Sequence, residues 1–381
     1  MRFLFLAFRD LKNPAAVGGD FYLWELAKGL SRLGHSAAFV CSRFEGSRPS
    51  EIVDGVEVVR FAGGLSLPFR ILNEYVKRFR GRVDVVVEEA IGGQRIPFLA
   101  GAYVREPLVA VWHQRHDKIF REQYPFPVAV VLSFFERFLA RLYRSRTVVT
   151  PSKGAREKLM QLGFRRENLK VVYDGVDEIF HDAMPNEKRE DLIVCLGKLR
   201  RYKRADHAIL ALERVVHQAN RPCRLVIAGK VSEIDRGYVD GLHNLAERLR
   251  VADLVEFKVN IPEKEKLELL EKARVLVQPS PVEGFSIVVV EANRCGTPVV
   301  VSDGVPSDVV VNGHNGLVYP FGDVEALASA ITELMKDDAI WNKMSKNAHE
   351  WAQQFNWERS VFTFQRILKL VNADSARVRA K

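Results

Sequence analysis

The chain has 381 residues, of which 47% are hydrophobic and 28% are charged. This balance is typical of a folded globular protein and excludes disorder over the whole chain. The 25 glycines and 16 prolines are too few for a fibrous protein, and the length predicts two domains. The net charge of +9 suits a polyanion, an anionic membrane surface or a phosphorylated substrate, and it is equally consistent with solubility alone.

The apolar stretches of the sequence are short. Tyr124–Phe135, the longest uncharged stretch near the middle, falls short of the ~18 apolar residues that a membrane-spanning helix needs. The apolar start, Phe3–Phe8, is too short for a signal peptide. The cysteines share no short metal-ligand spacing; they are Cys41, Cys195, Cys223 and Cys295. These features predict a reduced, cytoplasmic protein, with peripheral attachment to the inner face of the membrane left open.

The first half of the chain alternates between short apolar strands and helical patterns. Strands are predicted at Arg2–Phe8, Ser36–Cys41, Val56–Phe61, Val83–Val87, Leu108–Trp112 and Thr147–Thr150. After the first strand, a loop with Gly18 and Gly19 leads into a predicted helix with Asp20 as its N-cap and Gly34 as its C-terminal stop. This alternation predicts a parallel sheet covered by helices on both faces.

A polar, charged segment, 181–191, predicts a linker, after which the alternation begins again. Further strands are predicted at Leu192–Leu196, Arg224–Ala228, Leu254–Phe257, Val275–Gln278, Val299–Val301 and Gly316–Tyr319. Helices are predicted at Asp206–Gln218, Tyr238–Leu249, Glu263–Lys272, Ile287–Arg294, Val324–Lys336, Trp341–Phe355 and Trp357–Leu370. The sequence therefore predicts an α/β protein of two tandem doubly wound, Rossmann-like domains facing a central cleft.

Candidate ligand-binding residues follow the strands, because open α/β sheets bind ligands beyond the carboxyl ends of their strands. Gly18 and Gly19 precede a helix, where glycine lets a phosphate approach the backbone and the helix N-terminus favours an anion. An ordinary turn is the alternative. The pair does not form a GxGxxG motif, so the fingerprint of a nicotinamide-dependent dehydrogenase is absent.

Two glutamates lie around the start of the helix predicted at Ile287–Arg294. Glu283 belongs to the preceding loop and Glu291 to the helix. Carboxylates accept two hydrogen bonds each, which suits the vicinal hydroxyls of a sugar. The N–H groups of Phe285, Ser286 and Ile287 would face a phosphate at the helix start. Two solvated glutamates are the alternative.

A basic cluster and a histidine follow two other strands. The cluster after Leu192–Leu196 can hold a diphosphate, or it can be a solvated loop; it comprises Lys198, Arg200, Arg201, Lys203 and Arg204. His113 follows Leu108–Trp112 and can contact a substrate or serve only the structure. No third partner lies at a spacing that would make a zinc site with His113 and His116.

The run Glu-Gly-Phe-Ser that starts at Glu283, with Glu291 in Glu-Ala, resembles the signature of the retaining glycosyltransferases of family 4, which have the GT-B architecture. Four other segments follow in the family's order over residues 3–360: Gly18-Gly19, Asp174–Asp177, Gly197–Arg204 and Asn312–Val318. Two positions depart from the family pattern. Lys198 stands where the family often has Arg, which leaves Lys198, Arg200 and Arg201 open for that role, and Asp174 stands where it often has Asn.

The resemblance implies a role for each matching residue. Glu291 would bind the ribose hydroxyls of a nucleotide-sugar donor, and Lys203 would neutralise the diphosphate leaving group. Glu283 would hold the transferred sugar and the distal phosphate together with Gly284, Phe285 and Ser286. Gly18 and Gly19 would line the phosphates, and His113 would lie near the reacting sugar and the acceptor.

The resemblance also implies the domains and the reaction. An acceptor-side domain, 1–180, would be completed by a C-terminal helix, 358–381, and the nucleotide-sugar domain would be 190–357. The expected reaction is the retaining transfer of a hexose from a donor of the GDP-mannose or UDP-glucose type to a hydroxyl acceptor, in glycan or glycolipid assembly. No acidic pair of the DxD type ends a strand, so neither a metal nor another cofactor is expected.

Other functions remain open at this point. A nucleotide-sugar epimerase or hydrolase of the same fold would bind the same donor without an acceptor. A protein that binds a nucleotide-sugar or a polyanion without catalysis is a further alternative. Nucleic acid is not an expected partner, because the RRM and OB signatures are missing.

The acceptor side shows one suggestive segment. Residues 134–146 are aromatic and basic, with Arg137, Arg141 and Arg144 on one helical face, and 76–82 is a shorter segment of the same kind. Such a pattern can lie on an anionic membrane surface, which would suit a lipid-linked acceptor. A helix that covers the sheet with its arginines in water is the alternative.

Overall fold

The structure is a computed structural model that describes residues 1–90, 97–180, 189–219 and 223–379, without the side chains of 217–219 and 378–379. Most of the predicted linker lies outside these ranges. The chain forms two compact units. The N-terminal unit comprises 1–116, 133–175 and 356–381, and the C-terminal unit comprises 117–132 and 176–355. The segment Asp117–Leu132 thus groups with the second unit, although the sequence placed it in the 1–180 domain.

The described part of the N-terminal unit contains one eight-stranded sheet. Its strands are β1 (Arg2–Leu6), β2 (Ser36–Ser42), β3 (Ser50–Val53), β4 (Val56–Phe61), β5 (Val85–Glu89), β6 (Leu108–Val111), β7 (Thr147–Thr150) and β8 (Leu169–Val171). Their order is β3-β4-β2-β1-β5-β6-β7-β8, and every described pair is parallel except β3 with β4. The sequence did not predict the two edge strands, because β3 is short and half-exposed and β8 has 3 residues.

Helices cover both faces of this sheet. They are α1 (Gly18–Arg32), α2 (Leu67–Glu74), α3 (Ala100–Tyr103), α5 (Phe126–Leu142) and α6 (Lys153–Met160), with the C-terminal helix Trp357–Arg379 packed on α1. The helix between α3 and α5, α4 (Asp117–Gln123), groups with the C-terminal unit. One core combines α1 and the C-terminal helix, and the core on the opposite face combines α2, α3, α5 and α6. Because α5 ends at Leu142, Arg144 lies in the following turn and not on the predicted helical face.

The first helix begins earlier than predicted. Val17 is its N-cap, and Asp20 lies in the first turn, where its carboxylate accepts a hydrogen bond from the Val17 N–H at 2.8 Å. The N-cap prediction for Asp20 was therefore wrong, because the two glycines preceding it already adopt helical geometry. The predicted stop is confirmed: Gly34 follows the helix with a φ of +81°, a left-handed conformation that glycine adopts without strain.

The described part of the C-terminal unit contains a six-stranded, fully parallel sheet in the order β11-β10-β9-β12-β13-β14. Its strands are β9 (Leu192–Leu196), β10 (Arg224–Gly229), β11 (Val255–Val259), β12 (Val275–Gln278), β13 (Val299–Ser302) and β14 (Gly316–Tyr319). The helices are α7 (Ala205–Ala219), α8 (Arg236–Arg248), α9 (Glu263–Lys272), α10 (Ile287–Arg294), α11 (Val324–Lys336), α12 (Asp338–Ala352) and α13 (Trp357–Arg379), the last belonging to the N-terminal unit. The α/β prediction of two Rossmann-like domains is confirmed.

No helix in the described ranges combines the length and the apolar character that crossing a membrane requires.

Candidate functional site

The candidate residues of each unit lie at the point where the strand order reverses. In the C-terminal unit, β9 lies between β10 and β12, and Lys203 and Glu283 follow β9 and β12. In the N-terminal unit, β1 lies between β2 and β5. Gly19 follows β1, and His113 follows β6, which is the neighbour of β5 on the side away from β1. Such a reversal leaves a crevice at the carboxyl ends of the strands, which is where doubly wound sheets bind ligands.

Lys203 and Glu283 form an ion pair at this edge of the C-terminal sheet. The Lys203 Nζ lies 2.5 Å from Glu283 Oε1, and the Gln278 side-chain amide donates to the same oxygen at 2.8 Å. Burial alone would raise the pKa of Glu283, but the Lys203 charge and these hydrogen bonds outweigh it and lower the pKa. Burial would likewise lower the pKa of Lys203, but Glu283 raises it above its usual range. Both groups are therefore charged at neutral pH.

Glu291 lies on α10 and is 4% exposed. One carboxylate oxygen, Oε1, accepts a hydrogen bond from Lys266 Nζ at 2.8 Å, and Lys266 also contacts Glu263 at 2.5 Å. The other oxygen, Oε2, is buried with no hydrogen-bond partner among the described residues. Burial raises the pKa of Glu291, with Lys266 opposing. Sequence reasoning missed Lys266, since it lies 25 residues before Glu291 and no motif connects them.

The N-terminus of α10 has no side-chain cap. Ser286 is the N-cap residue with a φ of +78°, a left-handed conformation that strains a residue with a side chain. Its side chain makes no capping bond, and its buried Oγ has no partner in the described part of the chain. Phe285 is buried and packs edge-on against Phe355 at 5.3 Å between ring centroids. A hydroxyl and a helix terminus held this way suit an anion.

The residues of the basic cluster have different partners and different exposure. Lys203 alone is paired with Glu283, whereas Arg200 pairs with Asp235 at 3.2 Å and Arg204 with Asp206 at 2.9 Å. Arg201 is exposed, and Lys198 is half-buried just after β9.

Two glycines bring the ends of β9 and β10 together. A Cβ on Gly229 would lie 1.5 Å from the Gly197 carbonyl oxygen. The two backbones can therefore approach this closely only because position 229 is glycine. This contact shapes the loop that carries Lys198 and Lys203.

His113 and Gly19 meet in the N-terminal unit. A Cβ on Gly19 would lie 2.9 Å from His113 Nε2, so a side chain there would displace the imidazole. The Nε2 atom is buried and has no hydrogen-bond partner among the described residues, and the ring packs edge-on against Tyr22 at 5.4 Å. Burial, with the nearby His116, lowers the pKa of His113 to about 4, so the imidazole is neutral at pH 7.

His116 has a different environment from His113. Its Nδ1 lies 2.8 Å from Glu136 Oε1, and its backbone N–H donates to the same carboxylate. Both side chains are buried, which indicates a structural role. Within the described ranges, no group of three or more His, Cys, Asp and Glu side chains is arranged to hold a metal ion.

The sequence is similar to known glycosyltransferases along most of its length. Residues 17–179 match the family model "Glycosyltransferase Family 4", and 176–351 match "Glycosyl transferases group 1". The chain is 28% identical to a D-inositol 3-phosphate glycosyltransferase of Kribbella flavida over 91% of this chain and 89% of that protein.

Two solved structures share the fold. The chain superposes on sucrose-phosphate synthase from Thermosynechococcus elongatus with a TM-score of 0.80 and 18% identity, covering 98% of this chain and 100% of that one. For Anabaena HepE in complex with UDP and glucose, the TM-score is 0.74 at 20% identity, with 98% and 100% covered. The two family models together cover most of the chain, from 17 to 351, and the chain belongs to glycosyltransferase family 4, with the GT-B fold.

Proposed function

We propose that this glycosyltransferase transfers a hexose from a nucleoside diphosphate sugar to a hydroxyl acceptor, with retention at the anomeric carbon and without a metal ion. The observation that carries the proposal is Glu291. Its buried Oε2 has no partner among the described residues, while Lys266 holds Oε1. A buried carboxylate oxygen left in this state costs about 1–3 kcal/mol, which a ligand hydroxyl can recover. The ribose of the donor would supply that hydroxyl.

The diphosphate would lie between Lys203 and the start of α10. Its negative charge grows as the bond to the sugar breaks, and Lys203 is a fixed cation that Glu283 keeps protonated. The N–H groups of Ser286 and Ile287, the open Ser286 hydroxyl and the Gly284–Phe285 backbone would face the distal phosphate. These groups supply positive potential from the chain itself, which is why we propose a reaction that needs no metal.

The bond changes follow from this placement. The bond between the anomeric carbon and the diphosphate oxygen breaks, and its electron pair leaves with the diphosphate. The acceptor hydroxyl oxygen forms the new bond on the same face of the sugar, and its proton passes to the departing phosphate oxygen. The N-terminal unit would contribute the neutral His113, whose Nε2 can hydrogen-bond a sugar hydroxyl, and the backbone of Gly18 and Gly19, where glycine permits the close approach of a phosphate. Lys198 would add a second cation after β9.

The relatives favour particular partners without fixing them. HepE was solved with UDP and glucose, and the Kribbella protein is named for D-inositol 3-phosphate. We propose a donor of the UDP-glucose or GDP-mannose type and a sugar, glycan or lipid-linked acceptor.

A donor-dependent melting experiment tests the proposal. UDP-, GDP- and ADP-sugars are added with and without EDTA to the wild type, Glu291→Gln and Glu268→Gln, the last being a matched change at an exposed glutamate of α9. A donor at 100 times its Kd stabilises the folded state by about 2.7 kcal/mol. We expect one nucleotide to raise the Tm of the wild type and of Glu268→Gln, with or without EDTA, and not that of Glu291→Gln.

Three results would contradict parts of the proposal. No stabilisation by any donor would contradict the donor site, and equal stabilisation of Glu291→Gln would contradict the role of that carboxylate. Loss of the effect in EDTA would contradict metal independence. Retention is tested separately, by the anomeric configuration of the product in its NMR spectrum.

A further inference from the structure

The outward face of α5 is strongly apolar. Helical residues lie 100° apart around the axis, and the residues that point away from the core along Phe126–Leu142 form one broad face. Their exposed fractions are large: Phe126 75%, Val128 44%, Val130 50%, Val131 66%, Phe134 67%, Phe135 42% and Phe138 54%. The opposite face holds Ala129, Leu139 and Ala140 in the core. A soluble protein rarely exposes so continuous an apolar surface without a partner for it.

The charges on this face have one sign. Arg137 and Arg141 are exposed between the apolar side chains, and Arg144 is exposed in the turn after the helix. The sequence has one acidic residue between Phe126 and Arg146, and this residue, Glu136, is buried against His116. The exposed face is therefore apolar and cationic, with no carboxylate to repel an anionic partner.

A second patch of exposed apolar and cationic side chains lies on the layer of the N-terminal unit that contains residues 133–142 of α5. The side chains of Leu67 and Ile71 in α2 pack into the core that also receives Leu139 of α5, whereas α1 and α13 cover the other face of the sheet. Around α2, the large apolar side chains of Leu65, Phe69 and Val76 are 77%, 73% and 46% exposed. The exposed cations there are Arg70, Lys77 and Arg78, the last of which pairs with the carboxylates of Glu57 and Glu74.

We infer that this layer of the N-terminal unit, formed by the outward faces of α2 and of residues 133–142 of α5, docks on an anionic lipid bilayer. Large apolar side chains interleaved with arginine and lysine, and lacking carboxylates between them on α5, match a helix that lies in the interface of a membrane. The apolar side chains enter the acyl boundary, and the cations meet the lipid phosphates. The surface does not depend on the donor chemistry, so its test is independent of sugar transfer.

Flotation with vesicles tests the inference on the full-length protein. One set of vesicles is phosphatidylcholine alone, and the other is phosphatidylcholine with an equal amount of phosphatidylglycerol. We expect binding to the anionic set that weakens as salt is added. Arg137→Gln with Arg141→Gln should weaken it roughly 30-fold, because each cation near an anionic surface contributes about fivefold. Phe134→Ser with Phe138→Ser should abolish it at low salt as well.

Matched variants separate this surface from general effects of charge and hydrophobicity. Lys343→Gln with Lys346→Gln removes two exposed cations from α12, and Phe362→Ser with Leu370→Ser removes two exposed apolar side chains from α13, on the opposite layer. Both should bind vesicles like the wild type. Equal losses in variants and controls would overturn the inference. The inference would also be overturned if the wild type did not bind anionic vesicles. A concentration-dependent dimer that Phe134→Ser with Phe138→Ser dissociates would overturn it as well.

Discussion

At the scale of single residues, the two neighbouring glycines of the first loop have different surroundings. A Cβ on Gly19 would lie 2.9 Å from His113 Nε2, whereas no described atom would come within 4 Å of a Cβ on Gly18. The sequence predicted that both residues bind phosphate as a pair, because the sequence pattern does not distinguish two neighbouring glycines at a helix start. The structure shows that the second glycine makes room for the histidine.

We predict that Gly19→Ala lowers kcat by pushing the His113 imidazole aside and lowers stability by about 1–2 kcal/mol. Gly18→Ala should leave the free protein at least as stable as the wild type, because alanine is the better helix former. Thermal unfolding and initial rates for both variants check this. Equal kcat values for Gly19→Ala and the wild type would show that the position of His113 is not set by this contact.

Asp174 is half-buried, at a position where the family often has asparagine. Burial raises its pKa to about 8, so the folded state keeps a proton that the unfolded chain loses near pH 4. Its contribution to stability is complete at low pH and is lost as the pH rises from about 4 to about 8. Burial also raises the pKa of Glu88, to about 7.

We predict that Asp174→Asn stabilises the protein by about 4 kcal/mol more at pH 8 than at pH 4.5, because asparagine has no proton to lose. Urea unfolding at the two pH values measures the difference. Asp240→Asn, at an exposed position of α8, is the control and should change stability little at either pH. A gain for Asp174→Asn that is the same at both pH values would contradict a protonated Asp174.

At the scale of elements, the sequence predicted the strands of the C-terminal sheet, including both edge strands, and missed the edge strands β3 and β8 of the N-terminal sheet. The predicted bounds of the strands Leu192–Leu196 and Val275–Gln278 agree with the structure, since each is a short apolar run that begins directly after a charged residue. β3 was missed because an edge strand is stabilised by its pairing with β4 and carries no apolar run. Such pairing is a long-range property that local patterns do not contain.

The contact between α1 and α13 is another long-range feature. A Cβ on Gly29 in α1 would lie 2.2 Å from the Val361 Cγ2 in α13. Gly29→Ala should therefore destabilise the protein by about 1–3 kcal/mol, although alanine normally favours a helix. Adding Val361→Ala should recover part of that loss, because it removes the clashing methyl groups. A double-mutant cycle of unfolding free energies measures the coupling, and additive effects would contradict the contact.

At the scale of the whole molecule, the order of strands and helices along the chain was enough to predict two Rossmann-like domains, while the partners within the site were not predictable. Lys203 and Glu283 were both named from the sequence, yet their 2.5 Å ion pair joins residues 80 apart. Lys266 was not named, because only the fold brings α9 beside α10. The sequence therefore identifies residue types at strand ends, and the sheet order decides which of them meet.

The C-terminal helix belongs to the N-terminal unit, although it follows the C-terminal unit in the chain. Phe364 on this helix is fully buried and lies 6.5 Å from the Phe5 ring. We predict that Phe364→Ala lowers the unfolding free energy by about 3–5 kcal/mol. The Kd for the nucleotide should change little at a temperature where the variant is folded. Lys203, Glu283 and Glu291 lie in the other unit, and of the proposed phosphate contacts only Gly18 and Gly19 share the unit of Phe364. Chemical unfolding and calorimetric titration test the two parts. A weakened nucleotide affinity in the folded variant would mean that α13 supports the donor site as well as the core in which it packs.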